Sequence, residues 1–344
     1  MFMQNEIKEK GNLLDWFGNL YEAGYSKKII RDYYKEDVKA NKIKLKEWDY
    51  YLVYNDDFGV ALTVADNGYM GMLSASVIRF KDKTEITKSK ISWFTLGKFK
   101  MPTTSVTGDV EVKAKGCKAK FLHTDCGRHL EFFMPNFDGK KDLSVSFELT
   151  DEPEESMVIY TPFEKKKHFY YNQKIVGFKA SGKVRIGDEE INFNQDDTNA
   201  LLDWGRGVWT YKNTWYWGAA MGYVGGKKVG FNIGYGFGDT SKATENMLFY
   251  DGKAHKIQNV RFLIPKKNGK DDFMSKWRFT SDDGRFEMEF EPIINRHARI
   301  NALVLESNQN QVFGKFSGQI ILDSSERIQI DNMLGFAEKV FNRW

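Results

Sequence analysis

This chain repeats itself, and that constrains its fold more than any other feature. "GRHLEFFMP", from Gly127 to Pro135, returns at the same length as "GRFEMEFEP", from Gly284 to Pro292. Other landmarks keep the same order. Trp48-Asp49-Tyr50-Tyr51 leads to Asn67-Gly68-Tyr69 as Trp215-Tyr216-Trp217 leads to Asn232-Ile233-Gly234-Tyr235, and "YYNQKIVGFKASGKVRI", from Tyr170, resembles "NQNQVFGKFSGQIIL", from Asn308. A chain of 344 residues also exceeds the usual size of one hydrophobic core, so two copies of one folding unit are expected. The match has a defect. Aligning the Gly-Arg blocks sets Leu130 and Phe132 against Glu287 and Glu289, which inverts the buried face.

Each copy reads as strands and turns. Turn pairs at Asp56-Asp57, Asn67-Gly68, Gly187-Asp188, Gly225-Gly226 and Asp283-Gly284 separate β-branched and aromatic runs, and Phe286, Met288 and Phe290 alternate on one face. The expected class is mainly β, antiparallel. Residues 26–40 read as an arm or a short helix. Met333, Phe336, Ala337, Val340 and Phe341 fall at helical spacing behind Asp331 as N-cap, which predicts a short C-terminal helix. Long sheets avoid open edges by closing, and a barrel of about eight strands has room for one small ligand. The expected organisation is an N-terminal arm over residues 1–40, a first β-barrel over 41–200, and a second over 201–344 that ends in the helix.

Composition narrows the function classes. With 41% hydrophobic residues and 15% aromatics the chain can pack cores, and 51 Lys plus Arg against 47 Asp plus Glu gives only +4. The short run Lys165-Lys166-Lys167 lacks the clustering of a phosphate-tracking groove, so nucleic acid is not an expected partner. No run of about 18 apolar residues spans a membrane, and the start "MFMQNEIKEK" has no apolar signal centre, so a soluble cytoplasmic protein is expected. Cys117 and Cys126 are the only cysteines and the five His stand singly. The pattern offers neither a disulfide framework nor a metal site, and no cofactor motif is present.

Several segments carry a resemblance. "LLDWGRGVWTYKNTWYWGAA", "FNIGYGFGDTSKATENMLFYDG", "FYYNQK", "IKLKEWDYY" and "TSDDGRFEMEFEP" resemble the signature segments of the bacterial family known as domain of unknown function 2804. That family carries no activity, but it is similar to lipocalin-like (calycin) double-barrel proteins, among them carotenoid hydratases, tocopherol cyclases and pericyclic cyclases. The resemblance therefore implies two tandem lipocalin-like antiparallel β-barrels. Gly207-Val208-Trp209 also resembles the Gly-x-Trp element of lipocalins.

The richest candidate stretch runs from Leu201 to Gly222. Asp203 beside Trp204, Arg206 and Trp209 reads as a carboxylic acid held among aromatic walls, with Arg206 orienting it. The favoured reading is structural, an Asp203–Arg206 pair with Trp209 packed over the guanidinium to plug a barrel end, and an Arg this close would also oppose the acid role. Trp215 and Trp217 alternate with Tyr216, so a strand sends both indoles to one face, as cavity wall or as core. Tyr211 extends the candidate wall. Tyr171, Asn172 and Gln173 offer a phenol and amides to a polar ligand group. The Gly-rich segment from Gly234 to Asn246 brings Tyr235, Asp239, Glu245 and Asn246 to a possible barrel rim, but has neither phosphate-loop nor Ca²⁺-loop spacing.

Together these features favour a tandem-barrel protein that binds an apolar or amphipathic small molecule, such as a lipid or isoprenoid. Catalysis, if present, would be that of a metal-free isomerase, hydratase or cyclase with Asp203 as the acid. Two other classes remain: a carbohydrate-binding or carbohydrate-active protein drawing paired carboxylates from Glu287, Glu289, Glu291, Asp203 and Asp239, and a structural or interaction module without ligand, its second barrel packed solid.

Overall fold

The computed structural model describes residues 3–302 and 305–343. Two large antiparallel sheets account for nearly all of the regular secondary structure. The first carries β1 (Leu45–Tyr54), β2 (Phe58–Asp66), β3 (Met70–Arg79), β4 (Thr84–Trp93), β5 (Val110–Ala114), β6 (Cys117–Thr124), β7 (Gly127–Asp138), β8 (Lys141–Thr150), β9 (Met157–Pro162), β10 (Phe169–Ile186), β11 (Glu189–Phe193) and β12 (Asn199–Val208). The second carries β13 (Lys212–Val224), β14 (Lys227–Tyr235), β15 (Met247–Tyr250), β16 (Lys253–Lys256), β17 (Val260–Leu263), β18 (Trp277–Ser281), β19 (Phe286–Ala302), β20 (Leu305–Ile321) and β21 (Arg327–Arg343).

Their ladders follow one plan. The first runs β4-β3-β2-β1-β12-β10-β8-β7-β6-β5 and the second β16-β15-β14-β13-β21-β20-β19-β18-β17. The duplication is therefore architectural, with β1 equivalent to β13, β12 to β21 and β10 to β20. The Gly-Arg blocks are not equivalent. Gly127 opens β7, whereas Phe286 opens β19, whose counterpart in the first sheet is β8. That one-strand offset explains the inverted faces.

Each sheet curls around its own core. Phe132, Phe147, Phe178 and Trp204 fill the first, and Phe231, Trp277, Phe279 and Phe316 the second. A third cluster, including Tyr54, Ile159, Phe249, Phe313 and Phe336, lies where the outer faces of the two sheets meet. The central strands are thus buried on both sides.

One expectation fails for that reason. No C-terminal helix forms, because Arg327–Arg343 is the long strand β21. Met333 and Ala337 enter the second core while Leu334 and Phe336 join the shared cluster. A strand apolar on both faces reads as a continuous run that helical spacing also fits. The arm forms one 3₁₀ turn near its end, Lys35–Asp37, while Gly24–Ser26 adds a short strand to β9 of the first sheet and Gly11–Asn12 pairs with Arg31–Asp32. The sheets also change over later than residue 200: β12 pairs with β1 and β10, so residues 201–208 belong to the first sheet.

Filled barrels make the cores sensitive to truncation. Trp277 is fully buried and its indole donates to Phe273 O at 3.1 Å. Trp277→Ala should lower the unfolding free energy by about 3–5 kcal/mol, measured by chemical denaturation.

Candidate functional site

Because both barrels are filled, space for a ligand lies between them. A cavity of about 320 Å³ is lined by β1–β4, β10 and β12 of the first sheet and Trp209 just after β12, by β13 and β19–β21 of the second, and by Glu245 and Phe237 from the loop between β14 and β15. Its mouth runs between Thr87 and Ser89 on β4 and His297 and Ala298 on β19, all exposed.

Strand register explains which side chains reach it. In the first sheet Lys174, Asp203, Tyr50 and Thr63 stand opposite one another on adjacent strands. In the second sheet the equivalent row is Gln311, Glu338, Trp217 and Gly234. Facing strand partners share one side of a sheet, so each row turns toward the cavity as a unit. The rows meet across it. Lys174 Nζ lies 3.8 Å from the centre of the Trp217 ring, and the Tyr50 and Trp217 rings are 6.0 Å apart.

The wall is aromatic. Trp48 stacks on Tyr170 at 6.1 Å and meets Trp209 edge-on at 5.3 Å. Phe237 closes the group, with ring centres 4.7 Å from Tyr170, 5.1 Å from Trp209 and 5.3 Å from Trp215. Behind Trp209, Lys46 Nζ stands 5.3 Å from the indole and 4.5 Å from the Tyr69 ring, and burial pulls its pKa down to about 7.

The carboxylates of Asp203, Glu338 and Glu245 and the cationic side chains of Lys174 and Arg296 face this wall, with Glu85 further out. Asp203 Oδ1 accepts from Lys174 Nζ at 2.8 Å and from Asn172 Nδ2 at 2.6 Å. Glu338 accepts from the Trp215 indole at 3.1 Å and from Gln311 Nε2 at 3.1 Å. Arg296 lines the mouth, where it donates to Ser76 Oγ at 2.8 Å. Glu245 is placed by its loop: Asn232 Nδ2 donates to Glu245 O, Asn246 Oδ1 accepts from Gly234 N, and Lys256 Nζ donates to Thr244 O and Asn246 O. Its carboxylate lies over Gly234, where a Cβ would stand 2.8 Å from Oε1.

Burial raises the Glu245 pKa to about 7, with Asp203 and Glu338 pushing the same way and Lys174 and Lys256 opposing. Burial also raises Glu338, and holds the Tyr170 hydroxyl well above its usual range with the three carboxylates adding to the shift. Near neutral pH Glu245 can thus both give and take a proton. Trp209 Nε1, Gln311 Oε1 and Asn342 Oδ1, buried atoms of lining residues, have no hydrogen-bond partner among the described residues and offer one donor and two acceptors.

Asp203, Trp209, Trp215, Trp217 and Glu245 line the cavity, and Asn172 holds Asp203 in place. The expected Asp203–Arg206 pair does not form. Residues three apart on a strand point to opposite faces. Arg206 is fully buried on the barrel side, bonded to Asp49 Oδ1 at 3.0 Å, Trp48 O at 2.8 Å and Pro102 O at 2.9 Å, and lies over Trp204 instead of Trp209. Trp204 and Tyr171 also enter the first core, and Gln173 bonds Ser156 there. Tyr235 stacks on Tyr216 on the other side of the second sheet, Asn246 is wholly engaged by backbone, and Tyr211 and Asp239 are exposed. Glu289 and Glu291 bond Lys276 on the solvent face, and Glu287 bonds Thr280 on the same strand face, so that row supplies no paired carboxylates to the cavity. Sequence reading missed Lys174, Phe237, Arg296 and Glu338. Glu338 was hidden by the false helix, since only strand register sets it beside Gln311 and Trp217.

With this geometry in view, comparison gives the kinship. The sequence model of the family described as domain of unknown function 2804 (DUF2804) matches residues 4–344. The chain belongs to that family. No curated protein matches it in sequence. Among solved structures, an AttH-assigned protein of Nitrosomonas europaea is 12% identical, with a TM-score of 0.54 over 89% of this chain and 96% of its own. Kievitone hydratase from Nectria haematococca is 9% identical, with a TM-score of 0.49 over 92% of this chain and 94% of its own. At such identities the likeness is one of fold, and the DUF2804 chain has the tandem lipocalin-like architecture. Among its described residues no helix is long and apolar enough to cross a membrane.

Two outcomes test the electrostatics. Since folding raises the Glu245 pKa from 4.5 to about 7, the folded chain keeps a proton that the unfolded chain loses between those values. That contribution is full below about pH 4.5 and lost as pH rises through about 7, so wild type should lose up to roughly 3 kcal/mol relative to Glu245→Gln between pH 4.5 and pH 8. Denaturation curves of the two proteins that stay parallel across this range would refute it. Arg206→Ala leaves the buried Asp49 and Glu47 without their guanidinium and should cost about 3–5 kcal/mol by denaturation at neutral pH, with the cavity unchanged.

Proposed function

We propose that the chain binds an amphipathic small molecule in the cavity between its two barrels, and that Glu245 serves as proton donor in an isomerase, hydratase or cyclase reaction on it. One observation carries this reading: an aromatic-walled cavity of about 320 Å³ in which a buried carboxyl group has a pKa of about 7. The volume suits a small ligand, and the mix of apolar wall and a few fixed polar groups is what a ligand site requires. Trp209 Nε1, Gln311 Oε1 and Asn342 Oδ1 fit a hydroxyl or carbonyl on an otherwise apolar molecule.

The acid role passes from Asp203 to Glu245 on geometry. Asp203 is engaged by Lys174 and Asn172, which hold it as a fixed counter-charge. A proton delivered from Glu245 to an alkene carbon or a carbonyl oxygen creates positive charge beside Trp209, Trp215 and Phe237, whose ring faces attract cations. Loss of a proton to the Glu245 carboxylate, directly or after water or an internal nucleophile adds, discharges it. Glu338 stands near enough to shift the Glu245 equilibrium and so lowers the energy of the same charge.

The test is native mass spectrometry of the purified protein followed by solvent extraction of what co-purifies. Wild type and Glu245→Gln should carry the same apolar species, and Trp217→Ala should lose it. Turnover of that species should vanish in Glu245→Gln and fall in wild type as pH rises through about 7, because the acid form is consumed. A Trp217→Ala protein that retains the species would place the ligand elsewhere; full turnover in Glu245→Gln would remove the acid role.

A further inference from the structure

Four exposed apolar side chains of the first barrel gather at one end. Trp93, which ends β4, and Phe94 and Leu96 in the loop that follows are 59%, 62% and 53% exposed, and Ile43 beside them is 42% exposed. The turn at Gly68 joins the two segments: Leu96 N donates to Gly68 O at 2.9 Å, Phe94 N to Tyr69 O at 2.7 Å, and a Cβ on Gly68 would stand 2.6 Å from Ile43 O.

The loop is held rigidly in the shape that displays these residues. Phe94 and Leu96 have φ of 55° and 48°, a left-handed backbone that bulky side chains rarely adopt. Their neighbours anchor it. Thr95 Oγ1 donates to Asp66 Oδ1 at 2.7 Å and Phe99 N to Asp66 Oδ2 at 3.1 Å, while the Thr95 methyl and Phe99 ring close over Gly71. Residues 95 and 99 therefore face in and residues 94 and 96 face out, against the usual preference for burying Phe and Leu.

Charge identifies what covers the patch. Lys42, Lys44, Lys98 and Lys100 are exposed around it, and no Asp or Glu occurs from Trp93 to Ser105 or from Val38 to Lys46, in a chain where the two signs are nearly balanced. Apolar and aromatic tips ringed by ammonium groups fit the interface of an anionic bilayer, where the tips enter the headgroup region and each lysine adds attraction. The patch also adjoins the cavity. Trp93 pairs with Met70 across β4 and β3, so both share one face of the sheet, and Met70 lines the cavity. We propose that the Trp93–Lys100 loop, with Ile43, docks the protein on an anionic lipid surface. This stands whether or not the cavity is catalytic.

The experiment is co-sedimentation of the full chain with phosphatidylcholine vesicles, with and without phosphatidylserine. Wild type should bind the phosphatidylserine vesicles and release them in high salt. Lys98→Ala and Lys100→Ala should each weaken binding about fivefold. The double variant Phe94→Asn with Leu96→Asn should abolish binding while melting no lower than wild type, because Asn accepts the left-handed backbone. The proposal is overturned if wild type ignores both vesicles or if the double variant binds as wild type does. It is equally overturned if sedimentation velocity shows the patch holding two copies of the chain together and no lipid is bound.

Discussion

The structure depends on strands that are buried on both faces. β1, β10, β12, β13 and β21 each send alternate side chains into their own barrel and the others into the shared cluster between the barrels. A sheet normally keeps one face for water. Here the second face is covered by the other copy, so neither barrel's wall is complete without its neighbour. Hydrophobic burial on both faces also fixes register, since a one-residue slip would exchange two cores at once.

That double burial makes the polar part of the interface informative. A buried charge costs free energy unless it is paired, and paired buried charges are weak sources of stability. The facing rows nevertheless place Asp203, Glu338, Lys174 and Gln311 on the shared face, with Glu245 closing over Gly234. Equivalent apolar positions a few residues further along the same strands, such as Leu201 and Phe336, are filled conventionally. The contrast marks the cavity as a place where stability is given up. The raised Glu245 pKa, driven by burial, is one expression of that cost.

The strands and the doubling of the fold were legible because alternation and turn pairs act locally. What sequence could not supply was facing. Asp203 and Arg206 look like partners along the chain, yet strand geometry sends one to the cavity and the other to Asp49 inside the barrel. Glu338 was misread because a strand apolar on both faces carries no period of its own, and helical spacing filled the gap. The Gly-Arg blocks misled in a third way: they are alike in sequence but sit on neighbouring positions of the hairpin, and only the ladder order shows it. Trp209, Trp215 and Trp217 could be placed on a wall, but which wall depended on the second sheet.

A duplicated scaffold would give a symmetric cavity, and this one is not. In the first copy β2 and β3 are joined by the tight turn Asn67-Gly68-Tyr69, whereas in the second the equivalent connection, from β14 to β15, is long enough to fold Phe237 and Glu245 back over the facing rows. Lengthening one surface loop costs little in closure entropy. Here it supplies both the centre of the aromatic wall and the buried acid. The short turn has the opposite consequence: it leaves room for the Trp93–Lys100 loop to rest on Gly68 and present Phe94 and Leu96 outward. One copy's connection thus closes the floor of the cavity and the other's supports an exposed rim beside it. The site gains a direction that the repeat alone does not have.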